Sequence, residues 1–150
     1  MIYVAVAAIL FGIDIILKRW VEKHWKCGKE KLICCKKLIL RKYHNYGAFL
    51  DAGNKMTPVV TILSVVLTLW VLLLFCLSFG KKSNALYKTG LSILLGGAFS
   101  NTYDRLKRKY VVDYISFPVK RKSLRAIVFN IADFGIMLGA MLMVLTSPER

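Results

Sequence analysis

A chain of 150 residues that is 57% hydrophobic, with a mean hydropathy of +0.53, is too apolar for an ordinary soluble domain. Twenty-three Lys/Arg against eight Asp/Glu give a net charge of +15. That charge lies between apolar runs, which points to anionic phospholipid headgroups and away from nucleic acid. Cys27, Cys34, Cys35 and Cys76 show no C-x-x-C spacing, and His24 and His44 complete no ligand pattern, so neither metal nor cofactor is expected.

Taken in order, residues 1–17 are apolar except for Asp14. No basic segment precedes this run, and Lys18 and Arg19 follow it. It therefore reads as an uncleaved first span rather than a cleavable signal peptide. The loop 18–55 contains "KLICCKKLILRKY", whose partial alternation suits one or two strands at a membrane surface, or a short interfacial amphipathic helix. "HNYGAFLDAGN" follows, with Gly47, Gly53 and Asn54 as turn residues. Residues 56–79 carry no charge, residues 84–103 carry only Lys88, and residues 126–146 carry only Asp133. Since about 20 apolar residues cross the hydrocarbon core, the pattern predicts four transmembrane helices. Loops 18–55 and 104–125 would then share one side, and the termini and the turn 80–83 the other.

The acids are few, and four of them converge on the loop side. Asp14 and Asp104 lie near the ends of their runs, Asp113 lies in the apolar segment "YVVDYI", and Asp133 lies seven residues into the last run. That last position is about 10 Å deep at the helical rise. Asp14 has an ordinary explanation in Lys18, four residues on, and Asp104 has one in the adjacent Arg105. Asp113 and Asp133 have no such neighbour: the nearest bases stand four and eight residues away. A carboxylate within a membrane run is costly and marks a functional site. Two carboxylates held together in a poorly solvated place cannot both ionise readily. One can then act as general base on water while the other, protonated, polarises a carbonyl. Asn-x-x-Asp occurs twice, at Asn101/Asp104 and Asn130/Asp133, placing an amide beside a carboxylate on one helical face.

"GGAFSNTYDRLKRKYVVDYI" (residues 96–115) and "FNIADFGI" (129–136) together resemble the lipoprotein signal peptidases, the type II signal peptidases of bacteria. The resemblance extends to Asp14 and Lys18 and to Asn45, Gly47, Ala48 and Phe49, so it spans nearly the whole chain. It departs at Phe134, where a small residue is common, at Ile127 and Val128, where a tryptophan is common, and in the short Gly-Ala-Phe loop motif.

This resemblance implies one peptidase domain over residues 1–150. Its fold would be an all-α membrane protein of four transmembrane helices with a small extracytoplasmic β-sheet cradle. It implies an aspartic endopeptidase of the bacterial cytoplasmic membrane that cleaves prolipoproteins before the diacylglyceryl-modified cysteine. It also implies sensitivity to globomycin-type inhibitors. Asp113 and Asp133 would be the catalytic pair. Asn101, Asp104, Arg105 and Asn130 would line or brace the site, and Asn45, Gly47, Ala48 and Phe49 would cradle substrate. Asp14 and Lys18 would brace from the first span, and an Asp104–Arg105 ion pair would fix the loop that carries Asp113.

Two other classes compete. A small transporter or proton carrier would need polar residues through the full membrane thickness, and the second run has no charge. A non-catalytic lipid-binding protein would leave the acids unexplained. Sidedness divides the arguments: nineteen Lys/Arg fall in the two loops and four on the terminus side. By the positive-inside tendency those loops would be cytoplasmic, whereas the resemblance places them outside.

Overall fold

A computed structural model describes residues 1–34, 36–47, 57–80 and 84–146. Ala48, Phe49 and Cys35 lie outside the described residues. The chain order is α1 (Ile2–His24), β1 (Glu30–Ile33), β2 (Leu38–Asn45), α2 (Thr57–Phe79), α3 (Ala85–Arg108), β3 (Val111–Ser116), α4 (Lys122–Arg125) and α5 (Ile131–Leu145). The architecture is mostly helical with one small antiparallel sheet of order β1-β2-β3.

The helix α3 is central and packs against α1, α2 and α5. It starts at Asn84, whose side chain accepts the Leu86 N–H, and it ends at Lys109 in the left-handed conformation. Its glycine pair allows close approach of its neighbours. A Cβ on Gly97 would stand 2.5 Å from the Ala132 carbonyl oxygen, so only glycine lets the first turn of α5 lie this close.

The polarity of the bundle is inverted relative to a soluble protein. Asp14, Lys18, Ser100, Asn101 and Asp104 are buried, while Ile9, Ile13, Ile62, Leu63, Trp70, Met137 and Met141 face outward. Large exposed apolar surfaces mark contact with a partner or a membrane. Among the described residues one helix, Pro58–Phe79, with a mean hydropathy of 2.8, is long and apolar enough by itself to cross a bilayer.

The surface segment after α1 forms strands rather than an amphipathic helix. Glu30 pairs with Arg41 and Ile33 with Leu38 across the β1–β2 hairpin. The β3 strand, expected as loop, is where Asp113 lies. Val111 and Val112 are β-branched and buried, and Val112 and Tyr114 pack with Val21 and Leu17 of α1. The β2–β3 register is irregular between Leu40 and Tyr43, which leaves Tyr43 opposite Asp113 and Asn45 opposite Val111.

The last apolar run also differs from its expectation. Its helix begins at Ile131, not at residue 126, because the residues before it serve the sheet. Phe129 bridges Ile115 through bonds of 2.7 and 2.8 Å, and its carbonyl also accepts the Tyr114 N–H at 2.9 Å. Asp133 is accordingly in the first turn of α5, rather than seven residues into a helix.

Candidate active site

Asn130 sits where β3 and α5 meet, and it organises the site. It is the N-cap of α5 in a capping box: its side chain accepts the Asp133 N–H at 2.9 Å, and its own N–H donates to Asp133 Oδ2 at 3.0 Å. The Asn-x-x-Asp spacing at this position is thus a helix start, not two neighbours within a helix. The Asn130 amide nitrogen, fixed by that cap, donates to Asp113 Oδ1 at 2.6 Å. One residue therefore holds both carboxylates.

Two further amides complete the frame. Asn45, at the end of β2, donates to Asp113 Oδ2 at 2.9 Å. Asn101, on α3, donates to Asp133 Oδ1 at 2.8 Å and accepts from Asn130 at 3.3 Å. Gly47 closes the turn behind Asn45: its N–H reaches the Asn45 side chain at 2.9 Å with φ of +89°. A Cβ there would also strike Val60 of α2 at 2.7 Å, so glycine is required twice over.

Every hydrogen bond recorded to these two carboxylates comes from an amide, and among the described residues no ion pair reaches either. Asp113 is buried in β3, and burial together with the nearby charge of Asp133 pushes its carboxyl up to about 7. The bonds from Asn45 and Asn130 oppose that shift. Arg105 lies within electrostatic reach of both acids. Its Nη1 makes a long 3.5 Å contact to the Asn101 carbonyl, and its buried Nε has no partner among the described residues.

A second polar cluster lies directly behind the first. Lys18 Nζ is 2.7 Å from Asp14 Oδ2, 3.5 Å from Asp104 Oδ2, 3.1 Å from Ser100 Oγ and 2.8 Å from Asn101 Oδ1. The Asp14–Lys18 pair is the expected one. Asp104 differs from its expectation: it pairs with Lys18 and with Arg108 at 3.5 Å, one turn on, rather than with Arg105. Neighbours in a helix point about 100° apart, whereas residues four apart share a face. Asp104 still fixes the loop that carries Asp113, because its Oδ2 accepts the Val112 N–H at 3.3 Å.

Two residues of this cluster went unremarked in the sequence. Ser100 donates to Asp14 Oδ2 at 2.5 Å; its position four residues before Asp104 was the available signal. Tyr114 donates to Asp14 Oδ1 at 3.1 Å and accepts the Ile131 N–H at 3.2 Å, so one hydroxyl ties α1, β3 and the start of α5.

The described residues bring together Asp14, Lys18, Asn45, Gly47, Asn101, Asp104, Arg105, Asp113, Asn130 and Asp133 around one end of the helix bundle. Among them, no group of three His, Cys, Asp or Glu is arranged to hold a metal ion.

Helices with outward apolar faces and an inward, amide-framed pair of carboxylates define a membrane-enzyme class of fold and site. The fold matches a solved bacterial membrane enzyme determined in meso at 2.3 Å, with a TM-score of 0.78 and 24% identity, over 95% of this chain and 85% of the other. The model of the signal peptidase II family matches residues 6–148, and the chain belongs to that family. It is 34% identical to the lipoprotein signal peptidase of Shewanella baltica over 93% of this chain and 81% of that protein. To the lipoprotein signal peptidase of Clostridium tetani it is 30% identical, over 91% of this chain and 87% of that protein. The family cleaves signal peptides from prolipoproteins, and nothing supports the transporter reading.

Proposed function

We propose that the chain is an aspartic endopeptidase in which Asp113 and Asp133 are the catalytic pair, acting on prolipoproteins just before the lipid-modified cysteine. The observation that carries this reading is the Asn130 bridge, which holds the buried Asp113 and the half-buried Asp133 together with amides alone. With no ion pair to either acid among the described residues, and with burial and mutual repulsion outweighing the more distant Lys18 and Arg105, the pair retains one proton near neutral pH. The ionised carboxyl takes a proton from a water molecule as its oxygen attacks the scissile carbonyl carbon. The protonated carboxyl hydrogen-bonds the carbonyl oxygen, where negative charge develops. The proton then passes to the leaving amine as the tetrahedral intermediate collapses. Asn45, Asn101 and Asn130 fix both carboxylates, and the Arg105 guanidinium, within electrostatic reach of both acids, is suited to a substrate backbone carbonyl.

Four spans fit this reading. The helices α1, α2 and α3 have 23, 23 and 24 residues, or about 35 Å each at the helical rise. The outward apolar face of α1 supplies lipid contact that its buried Asp14 and Lys18 hide from a composition count, and α5 is apolar but short. The short α5, 15 residues or about 22 Å, suits a site sunk several ångströms below the headgroups, where an acylated cysteine and its peptide bond meet. On this proposal the sheet is extracytoplasmic, and its lysines contact anionic outer-leaflet headgroups.

Replacing Asp113 or Asp133 by Asn should each lower cleavage of a diacylglyceryl-modified precursor by at least about 10²–10⁴-fold. The protein should stay folded, and chelators and thiol- or serine-directed reagents should leave the wild type active. Substantial turnover by either variant would remove the aspartic mechanism. Cys27, Cys34 and Cys76 are free and exposed. In intact cells a membrane-impermeant maleimide should label Cys27 or Cys34 but not Cys76 on α2. Labelling of the loop cysteines only after permeabilisation would place the site in the cytoplasm.

A further inference from the structure

The end of β2 carries Asn45 to Asp113 and pairs with β3 from Tyr43 to Asn45, beyond the irregularity at Leu40–Tyr43. A side-chain cluster also ties this end to α1. Glu22, on the last turn of α1, gathers three side chains: His44 Nε2 at 3.0 Å, Lys42 Nζ at 3.6 Å and the Tyr110 hydroxyl at 3.4 Å. Lys42 also donates to the Glu22 carbonyl at 3.2 Å. The His44 ring stacks on Tyr110 at 4.1 Å, and Tyr46 leans on the other side of that contact at 5.5 Å from Tyr110. The cluster therefore joins α1, β2 and the start of β3 immediately beside Asn45.

We propose that Glu22 and His44 are positioning residues for the reaction: their hydrogen bond fixes the end of β2 so that Asn45 stays bonded to Asp113. This rests on the aspartic reading above. An ordinary half-exposed ion pair contributes little to stability. The significance of this one is its place, one residue from a contact made directly to the proposed dyad.

The inference has a signature that general destabilisation lacks. A donor on an ionised carboxylate favours ionisation, so loosening Asn45 raises the pKa of Asp113. The alkaline limb of the pH profile of kcat/KM reports the essential acid in the free enzyme; Asp113, which holds the proton of the pair, sets that limb, and it then moves to higher pH. The other groups facing Asp113 (Asp133, Asn130, Lys18 and Arg105) are not altered by the change. Those facing Glu22 are His44, Lys42 and Arg108 together with the Tyr110 hydroxyl.

The test compares full-length wild type, His44→Leu, Glu22→Gln and His44→Gln on a diacylglyceryl-modified prolipoprotein peptide from pH 5 to 9. Gln places an amide N–H near the Nε2 position, so it keeps the bond without the ring. For His44→Leu and Glu22→Gln, the alkaline limb should rise by about 0.5–1 unit. The ratio of activity at pH 8 to activity at pH 6 should then rise several-fold over that of the wild type. His44→Gln should retain the wild-type limb. If His44→Leu fails to fold, Glu22→Gln alone decides. An unmoved alkaline limb, whether activity is retained or falls equally at every pH, overturns the inference. A wild type that does not cleave the peptide, or an Asp113→Asn variant that does, overturns the peptidase reading instead.

Discussion

The molecule holds two pairs of carboxylates, joined through Asn101, and they are treated oppositely. Asp14 and Asp104 share a buried lysine, with Ser100, Tyr114 and backbone N–H groups taking up remaining lone pairs. Asp113 and Asp133 share only asparagines. A cation fixes acids as ions and makes them structural. Neutral donors fix position while leaving protonation undecided. Asn101 stands between the two pairs, accepting from Lys18 and donating to Asp133, so the ionic pair orients the amide that orients the other.

The difference predicts opposite responses to neutralisation. Replacing Lys18 by Met leaves Asp14 and Asp104 buried with no ammonium between them. That should cost about 3–5 kcal/mol of stability, read as a large drop in melting temperature, with activity lost in parallel. An unchanged melting temperature would break the distinction between the two pairs.

Neutralising the other pair should do the reverse at alkaline pH. The folded state raises the Asp113 carboxyl from 3.8 to about 7, so it binds that proton more tightly than the unfolded chain does. Its contribution is therefore complete below about pH 4 and is lost as pH rises towards 7. Asp113→Asn has no proton to lose. At pH 8 it should be more stable than wild type by on the order of 2–4 kcal/mol, with the gap closing near pH 4. Parallel melting curves across pH would contradict this.

Gly97→Ala tests how tightly the frame is set, since the added methyl meets the Ala132 carbonyl in the first turn of α5. It should cost about 1–3 kcal/mol and lower kcat more than that loss explains, because the Asn101–Asp133 bond of 2.8 Å spans the same gap. The smallest effect is expected at Arg108. Its contact to Asp104 is long and partly exposed, so Arg108→Met should cost about 1 kcal/mol or less.

Much of this was legible in the chain. The helices followed from long apolar runs, and Asp113 and Asp133 stood out because a carboxylate without a nearby base is expensive there. The i, i+4 spacing gave Asp14–Lys18 directly. The same rule argued against Asp104–Arg105, where adjacency suggested a pair that helix geometry separates. What stayed hidden depended on tertiary placement. A strand that is buried along nearly its whole length, like β3, lacks the polar–apolar alternation that reveals a half-exposed one. The start of α5 was masked because residues 126–130 are as apolar as the helix they precede, and only the bridge to β3 makes Asn130 a cap. Tyr114 and Ser100 matter through partners 100 and 86 residues away, which no local pattern shows.

The Asp113–Asp133 pair should carry one proton near neutral pH. Infrared difference spectroscopy of the purified protein between pH 5 and 9 reads it through the carbonyl stretch of a protonated carboxyl group. The account predicts one such group per molecule at pH 6, titrating near 7 and altered or lost in Asp113→Asn. A wild type with no protonated carboxyl at pH 6, both acids being ionised, would contradict it.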